Sequence, residues 1–129
     1  MGKILIVDDS KMTRNYHAYI LREANYEVLE AIDGAEALEI LYMFGDNIDC
    51  VLTDLNMPNL DGYELIKKIR EDEKLKDIPV IIVTTMDDAK DKTKGLALGA
   101  NFYIVKPADP KLLKESIKLV LGDDSNEVS

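Results

Sequence analysis

At four places in the chain, a short apolar run ends in side chains suited to metal or phosphoryl chemistry. These side chains are Asp8, Asp9, Asp54, Thr84, Thr85 and Lys106. Three carboxylates placed within a few ångströms of one another repel by several kcal/mol unless a cation lies among them or one is protonated. A cation is the simpler solution, and oxygen ligands favour Mg²⁺, with Mn²⁺ as a substitute, over Zn²⁺ or Ca²⁺.

A metal, an ammonium and a hydroxyl group around one carboxylate are complementary to a phosphoryl group in transfer, whose charge lies on its equatorial oxygens. In such a site Asp54 accepts the phosphoryl group, the metal and Lys106 neutralise its charge, and Thr84 donates a hydrogen bond to it. A carboxylate nucleophile needs no general base. The only histidine, His17, is predicted to be packed in a helix far from the acidic side chains.

The elements that must position these residues follow from hydrophobic periodicity. Short β-branched apolar runs alternate five times with longer amphipathic stretches, which predicts a βα repeat. The predicted strands are Lys3 to Asp8, Glu27 to Ala31, Asp49 to Asp54, Pro79 to Thr84 and Asn101 to Val105. The first, third and fourth are almost continuously apolar, as in a parallel sheet covered by helices on both faces, whereas the second alternates and is placed at an edge.

The ends of the predicted strands should meet in space. In an open parallel sheet, ligands bind beyond the carboxyl ends of the strands, at the crevice where the strand order reverses. The four reactive strand ends are therefore expected to form one rim. One acidic pair after a strand usually only opens a turn, but acids, hydroxyls and a lysine at four strand ends rarely coincide by chance.

Capping residues indicate where the helices start and end. The marker residues are Asp33 with Glu36, Asp61 with Glu64, Asp109 with Pro110, Gly99 and Gly122. Acidic residues satisfy free N–H groups at helix starts, proline fits the first helical position, and glycine adopts the left-handed conformation at helix ends. Residues 122–129 are too polar to pack and are expected to be a frayed acidic tail, which places the domain at 1–121.

Composition limits the class of protein. The chain has 129 residues and a formal net charge of −9, which suits one domain and disfavours direct binding of nucleic acid. Cys50 is the only cysteine, so it cannot form an internal disulfide and is expected to be a buried thiol. The apolar run at 4–7 is too short for a signal peptide or a membrane span, so the cytoplasm is the expected compartment.

Four motifs together resemble the receiver domains of two-component response regulators, of the single-domain chemotaxis type. They are Ile-Val-Asp-Asp at 6–9, Asp-Leu-Asn-Met-Pro-Asn-Leu-Asp-Gly at 54–62, Val-Thr-Thr at 83–85 and Tyr-Ile-Val-Lys-Pro at 103–107. The resemblance covers roughly Lys3 to Leu121, and the combination is specific although each motif alone is weak. It implies a flavodoxin-like (βα)5 fold, a doubly wound five-stranded parallel sheet in the order 2-1-3-4-5.

The resemblance also implies roles for single residues. A sensor histidine kinase or phosphotransfer protein would donate a phosphoryl group to Asp54. Asp9 and Asp54 would bind Mg²⁺ together with the backbone carbonyl of Asn56, and Asp8 would support the metal through water. The bond between Lys106 and Pro107 would be cis.

Thr84, Tyr103 and Lys106 are implied to be the switch residues. The Thr84 hydroxyl would move toward the phosphoryl group, Lys106 would pair with it, and the Tyr103 ring would turn inward. The implied output surface is the fourth helix, the fifth strand and the fifth helix, where an unknown downstream protein would bind.

Three residues modify these expectations. Thr85 stands where the family often has alanine, which would narrow access for the phosphoryl group. Met86 is expected to shield the acyl phosphate from water and so to lengthen its lifetime. Gly95 costs its helix about 1 kcal/mol relative to alanine, which either helps the helix to shift or reflects a close packing contact.

The output region differs in charge from the rest of the chain. Residues 86–121 contain seven lysines and five acidic residues, and so have a net charge of +2. A locally basic face suggests an acidic partner helix or a second copy of the domain, although lysines at helical spacing are also typical of a solvated face. A monomer and a phosphorylation-dependent dimer both remain open, and no membrane partner is expected.

Three other functions are compatible with this fold class. A Mg²⁺-dependent aspartyl-phosphate phosphohydrolase of the haloacid-dehalogenase type would need Asp-x-Asp after the first strand and a cap, and neither is present. A flavin-binding module would need a glycine- and hydroxyl-rich first loop, where this chain has Asp8 and Asp9 followed by Ser10 and Lys11. A receiver-like module that is not phosphorylated is disfavoured because every chemical position is filled.

Overall fold

The computed structural model describes residues 2–122. Its strands are β1 (Lys3–Val7), β2 (Glu27–Ala31), β3 (Cys50–Thr53), β4 (Val80–Thr84) and β5 (Phe102–Val105). Its helices are α1 (Lys11–Glu23), α2 (Gly34–Phe44), α3 (Gly62–Glu71), α4 (Ala89–Leu98) and α5 (Pro110–Leu121), with a 3₁₀ turn at Gly45–Asn47. The strands form one parallel sheet in the order β2-β1-β3-β4-β5, which confirms the flavodoxin-like topology and the edge position of β2.

The strand boundaries differ from the predicted ones by single residues, and the difference has a physical cause at the reactive ends. Asp8 still donates its backbone N–H to Ala31 over 3.1 Å, and Asp54 donates to Val7 over 2.9 Å. Beyond these bonds the backbone leaves the ladder, and the following amides bond to the aspartate side chains instead. Asp8 and Asp54 therefore each make the last backbone hydrogen bond of their strand and also begin the loop that follows it.

Alternate strand residues build two apolar cores, one on each face of the sheet. Leu5, Val51 and Ile82 pack on one face with residues of α2 and α3. Ile6 and Leu52 pack on the other face with residues of α1 and α5. Because both faces of β1, β3 and β4 are covered, their continuous apolar runs are fully buried, as the sequence pattern predicts.

The predicted helix caps are confirmed. The side chains of Asp33, Asp61 and Asp109 accept hydrogen bonds from the backbone amides three residues later, at 2.9, 2.9 and 3.1 Å. Gly99 and Gly122 end α4 and α5 with φ of 118° and 67°. The starts of α2, α3 and α5 are thus fixed by local hydrogen bonds, close to the carboxyl ends of the strands.

Two further expectations concern single features. Cys50 is fully buried, and burial raises the pKa of its thiol to about 12, which confirms a buried thiol. Within residues 2–122, no helix combines the length and the apolar character needed to cross a membrane. The predicted frayed tail lies outside the described residues from position 123 onward.

Candidate functional site

Three carboxylates meet at the carboxyl ends of β1 and β3. One carboxylate oxygen from each of Asp8, Asp9 and Asp54 lies within 4.8 Å of the other two. Asp8 is buried, Asp54 is half-buried and Asp9 is exposed. This is the rim that the sequence pattern predicts, and its oxygen donors suit a hard divalent cation that keeps some of its waters.

Lys106 at the end of β5 joins this acidic cluster. Its Nζ lies 2.7 Å from Asp8 Oδ2 and 2.8 Å from Asp54 Oδ2. Burial lowers the pKa of Lys106, but the hydrogen bonds and charges of Asp54 and Asp8 outweigh that effect and hold the pKa above its ordinary value. The ammonium is thus itself a cation among the carboxylates, and it leaves the four groups with a formal charge of −2.

Backbone amides hold the carboxylates of Asp8 and Asp54 in place. Asp8 Oδ1 accepts a hydrogen bond from the amide of Ser10 over 2.9 Å, and Asp54 Oδ1 accepts one from the amide of Leu55 over 2.7 Å. Behind Asp54, α3 begins at Gly62, where a Cβ atom would overlap the Asp54 carbonyl oxygen. Only glycine lets α3 approach the loop that follows β3 so closely.

Arg14 braces the turn that bears Asp8 and Asp9. Its Nη1 donates to the backbone carbonyl of Asp8 over 2.8 Å, and its Nε donates to Glu30 Oε1 over 3.0 Å. The guanidinium therefore ties the first loop to α1 and to β2 at once. No pattern in the sequence singles out Arg14, since an arginine on the first helix is unremarkable without the fold.

The loop after β3 is also fastened to α2. Asn59, whose φ is 66°, donates a side-chain hydrogen bond of 2.6 Å to Asp33 Oδ2, while Asp33 Oδ1 caps α2. The amide of Gly34 donates to the carbonyl of Leu60 over 3.0 Å. Asn56, whose carbonyl is the remaining predicted metal ligand, is exposed in this fastened loop.

The predicted switch residues are linked through Met86. Thr84 is buried at the end of β4, and its Oγ1 accepts a hydrogen bond of 3.4 Å from the Met86 amide. Tyr103 on β5 donates its hydroxyl hydrogen to the Met86 carbonyl over 2.7 Å. The Tyr103 ring lies inward against the apolar core, and burial raises its pKa to about 12. The Met86 side chain packs against the same core, and its predicted shielding role stays a prediction.

Gly95 lies where α4 crosses β4 and β5. A Cβ atom at this position would lie 2.6 Å from Ile82 Cδ1 and 3.4 Å from Tyr103 Cδ2. Of the two explanations for this glycine, close packing is therefore present in the structure. The same contact brings α4 against the Tyr103 ring.

The expectation that His17 lies far from the acidic residues is wrong. His17 is buried, as predicted, but it shares a cleft of about 460 Å³ with Thr85 and Lys106. Burial has the largest effect on the pKa of His17 and lowers it, and the positive charge of Lys106 lowers it further. The reason is that α1 begins only four residues after β1 ends and its side chains tilt toward its N-terminus, which brings its second turn back to the rim.

The rim also contains two other predicted features. Thr85 is exposed and lines the cleft beside Lys106. The peptide bond between Lys106 and Pro107 is cis, as the resemblance implies. With these, every side chain predicted at the rim is placed at the carboxyl ends of β1, β3, β4 and β5.

Comparison with known proteins decides the family. The model of the response regulator receiver domain matches residues 4–118. The chain belongs to the response regulator receiver domain family. Its two-component signalling class and its resemblance to CheY therefore follow from the match, and not only from the four motifs.

Two relatives of this receiver that match it along nearly their whole length are chemotaxis proteins. A CheY homolog of Campylobacter jejuni is 41% identical over 97% of this chain and 96% of its own length. CheY1 of Helicobacter pylori is 43% identical over 93% of this chain and 97% of its own length. Both relatives thus consist of little more than the region that this receiver matches.

Solved structures agree with the fold. CheY4 of Vibrio cholerae is 36% identical, covers 94% of this chain and 99% of its own, and superposes with a TM-score of 0.86. A chain in the structure of the CheX–CheY–BeF3–Mg²⁺ complex of Borrelia burgdorferi is 30% identical to this receiver. The match covers 92% of this chain and 88% of that chain, with a TM-score of 0.86. The receiver fold is therefore shared along nearly the whole described chain.

Proposed function

We propose that this receiver is a phosphorylation switch in which Asp54 accepts a phosphoryl group from a phosphohistidine. The donor is a sensor histidine kinase or a phosphotransfer protein. One observation supports this most directly: the Lys106 ammonium contacts Asp54 in the same cluster that contains Asp8 and Asp9. A carboxylate nucleophile, an ammonium and two further carboxylates are the groups that phosphoryl transfer to an aspartate requires.

Mg²⁺ is the proposed cofactor, and Mn²⁺ could replace it. Asp9 and Asp54 would hold it with the Asn56 carbonyl, and Asp8 would support it through water. The donor set fits, because it is made only of oxygens and has a formal charge of −2 even with Lys106 in place. When bound, the metal supplies positive charge to the oxygens of the incoming phosphoryl group. The Borrelia relative was solved with Mg²⁺ and BeF3.

The transfer step needs no general base from this chain. A carboxylate oxygen of Asp54 forms the new bond to phosphorus, and the bond from phosphorus to the donor's imidazole nitrogen breaks. The imidazole leaves with the electron pair and takes up a proton. Lys106 gives up its contact with Asp54 and pairs with a phosphoryl oxygen, and the Thr84 hydroxyl donates to another.

The proposed output is protein binding at the surface of α4, β5 and α5. Thr84 and Tyr103 both contact Met86 at the start of the loop into α4, so movement of the Thr84 hydroxyl toward a phosphoryl group changes the support of that loop. In the Borrelia relative, CheY is in complex with CheX. For this receiver we propose an unidentified downstream protein in the cytoplasm, with no direct binding of nucleic acid.

Incubation with Mg²⁺ and phosphoramidate tests this function. One labile phosphoryl adduct is expected by intact-mass spectrometry, absent in Asp54→Asn and retained in Asp46→Asn, an exposed acid remote from the cluster. Full labelling of Asp54→Asn would overturn the assignment of the acceptor. Steady turnover of stable phosphate monoesters would instead identify the alternative function, a Mg²⁺-dependent aspartyl-phosphate phosphohydrolase.

A further inference from the structure

Three large apolar side chains are exposed together at the end of α2. Tyr42, Met43 and Phe44 are 61%, 73% and 47% exposed. Single exposed apolar residues are common on protein surfaces, but three in succession at one helix end leave a large amount of apolar surface there, which favours binding.

A cleft adjoins Tyr42 and Met43. It has a volume of about 460 Å³ and lies between the end of α2 and the segment that connects α3 to β4. Leu41 and Leu75 line it and are otherwise buried, and Gly45 lies so close to Leu75 that a Cβ atom would be 2.6 Å from its Cδ2. We call Tyr42, Met43, Phe44 and this cleft the α2 patch. Its exposed apolar lining comes from Tyr42 and Met43, and most of the remaining lining side chains are charged.

The border of the α2 patch is acidic. Glu39 is exposed one helical turn before Tyr42 and Met43, on the same face of α2. Asp46, Asp72 and Glu73 line the cleft, where Lys74 is the one basic residue among its lining side chains. Lys76 beside the cleft pairs with Glu73 over 3.2 Å. These six residues have a net charge of −2, so the border favours a cationic partner.

The α2 patch lies at the amino ends of the strands, whereas Asp54 lies at their carboxyl ends. Its 3₁₀ turn leads into the amino end of β3, and residues 72–75 lead into the amino end of β4. Asp54, in contrast, follows the carboxyl end of β3. A partner at the α2 patch would therefore leave the phosphoacceptor rim and the α4–β5–α5 surface uncovered.

We propose that the α2 patch binds a cationic amphipathic segment of another protein, whose apolar side chains pack against Tyr42 and Met43 and whose lysine or arginine side chains pair with the acidic residues around the cleft. Binding there fastens the receiver to a partner in either phosphorylation state. This interaction is separate from the proposed phosphoryl chemistry, since no residue of the rim takes part in it.

A designed peptide tests the chemistry of this surface. The isotope-labelled full chain is titrated with a synthetic amphipathic helix of leucine and lysine and, separately, with one of the same apolar pattern in which glutamate replaces lysine. The lysine peptide should shift amide resonances of residues 39–46 and 72–75, and the glutamate peptide should leave them unchanged. In Asp54→Asn the affinity for the lysine peptide should be the same, because the rim is not involved.

Matched methionine variants supply the control. Met43→Ser should weaken binding of the lysine peptide at least ~5-fold, whereas Met12→Ser, which removes an 82% exposed methionine from α1, should leave it within ~2-fold. Equal loss in both variants, shifts concentrated at another surface, or equal binding of the two peptides would overturn the proposal. Self-association that Met43→Ser abolishes would also overturn it, since the occupant would then be a second copy.

Discussion

The Lys106 ammonium lies 2.8 Å from Asp54 Oδ2, so the residue proposed to accept a phosphoryl group is already ion-paired in this structure. Both side chains are largely buried, and Lys106 holds Asp8 as well. In the proposed phosphoryl transfer the Lys106 ammonium therefore exchanges the Asp54 carboxylate for a phosphoryl oxygen, and it does not have to be brought in from solvent. This exchange makes Lys106 both a stabilising residue before transfer and a reporter of what occupies the rim.

Replacing Lys106 with methionine should expose the repulsion among the carboxylates. We expect Lys106→Met to lower the free energy of unfolding by about 1–3 kcal/mol, because two hydrogen-bonded carboxylates lose their cationic partner. Added Mg²⁺ should raise the melting temperature of Lys106→Met more than that of the parent chain, since the metal restores a missing cation. Scanning calorimetry with and without Mg²⁺ measures both effects. Lys111→Met removes an exposed lysine of α5 and should change neither.

The same ion pair predicts a loss of stability at high pH. The folded-state pKa of Lys106 is raised above 10.5, so its contribution is complete below the unfolded pKa and disappears as the pH rises through the folded value. The parent chain should therefore lose stability above pH 10.5 more steeply than Lys106→Met, as followed by urea unfolding at a series of pH values. Parallel curves for the two proteins would contradict the pairing.

His17 should report the charge at the rim. Because burial and the Lys106 charge lower its pKa, its imidazole resonance should titrate below pH 6.5, and Lys106→Met should move the midpoint upward. As the only histidine, His17 gives an unambiguous signal. A midpoint that does not respond to Lys106→Met would show that the two groups do not interact.

The lowered pKa of His17 also fixes the sign of a stability effect. Below pH 6.5 the unfolded chain binds a proton that the folded chain excludes, so stability falls as the pH drops from 6.5 toward the folded pKa. The variant His17→Gln lacks this proton, and its stability should decline less over that interval. Unfolding in urea at pH 7.5 and at closely spaced lower values measures the difference between the two slopes.

Arg14 is expected to set metal affinity without touching the metal. Lysine at this position can reach one partner but not both the Asp8 carbonyl and Glu30, so Arg14→Lys should loosen the first loop and weaken Mg²⁺ binding by about 10-fold. Calorimetric titration with Mg²⁺ measures this change. Arg22→Lys is the matched control, because Arg22 contacts the same Glu30 from an exposed position at 3.9 Å, and it should leave the affinity unchanged. Equal weakening in both variants would assign the effect to Glu30 alone.

The sequence patterns predict the reactive residues of the rim more completely than the residues that hold its loops in place. Asp8, Asp54 and Lys106 could be placed because each follows an apolar run, and parallel strands bring such ends together. The contacts of Arg14 with Glu30 and of Asn59 with Asp33 join residues 16 and 26 positions apart, and nothing in local periodicity indicates them. His17 was misplaced for a related reason, since its distance from the rim depends on how closely α1 follows β1.

The Tyr103 hydroxyl joins β5 to the loop between β4 and α4, so its removal tests how that loop is held. Tyr103→Phe removes the 2.7 Å hydrogen bond to the Met86 carbonyl and keeps the ring that packs against the core. We expect a loss of about 0.5–1.5 kcal/mol in unfolding free energy and faster amide hydrogen exchange at residues 85–88, with the rate of phosphoryl uptake by Asp54 unchanged. Tyr19→Phe, at an exposed tyrosine of α1, should alter none of these quantities. Slower phosphoryl uptake in Tyr103→Phe would place the hydroxyl in the chemical step, whereas unchanged exchange would show that the Met86 loop is held by Thr84 and side-chain packing alone.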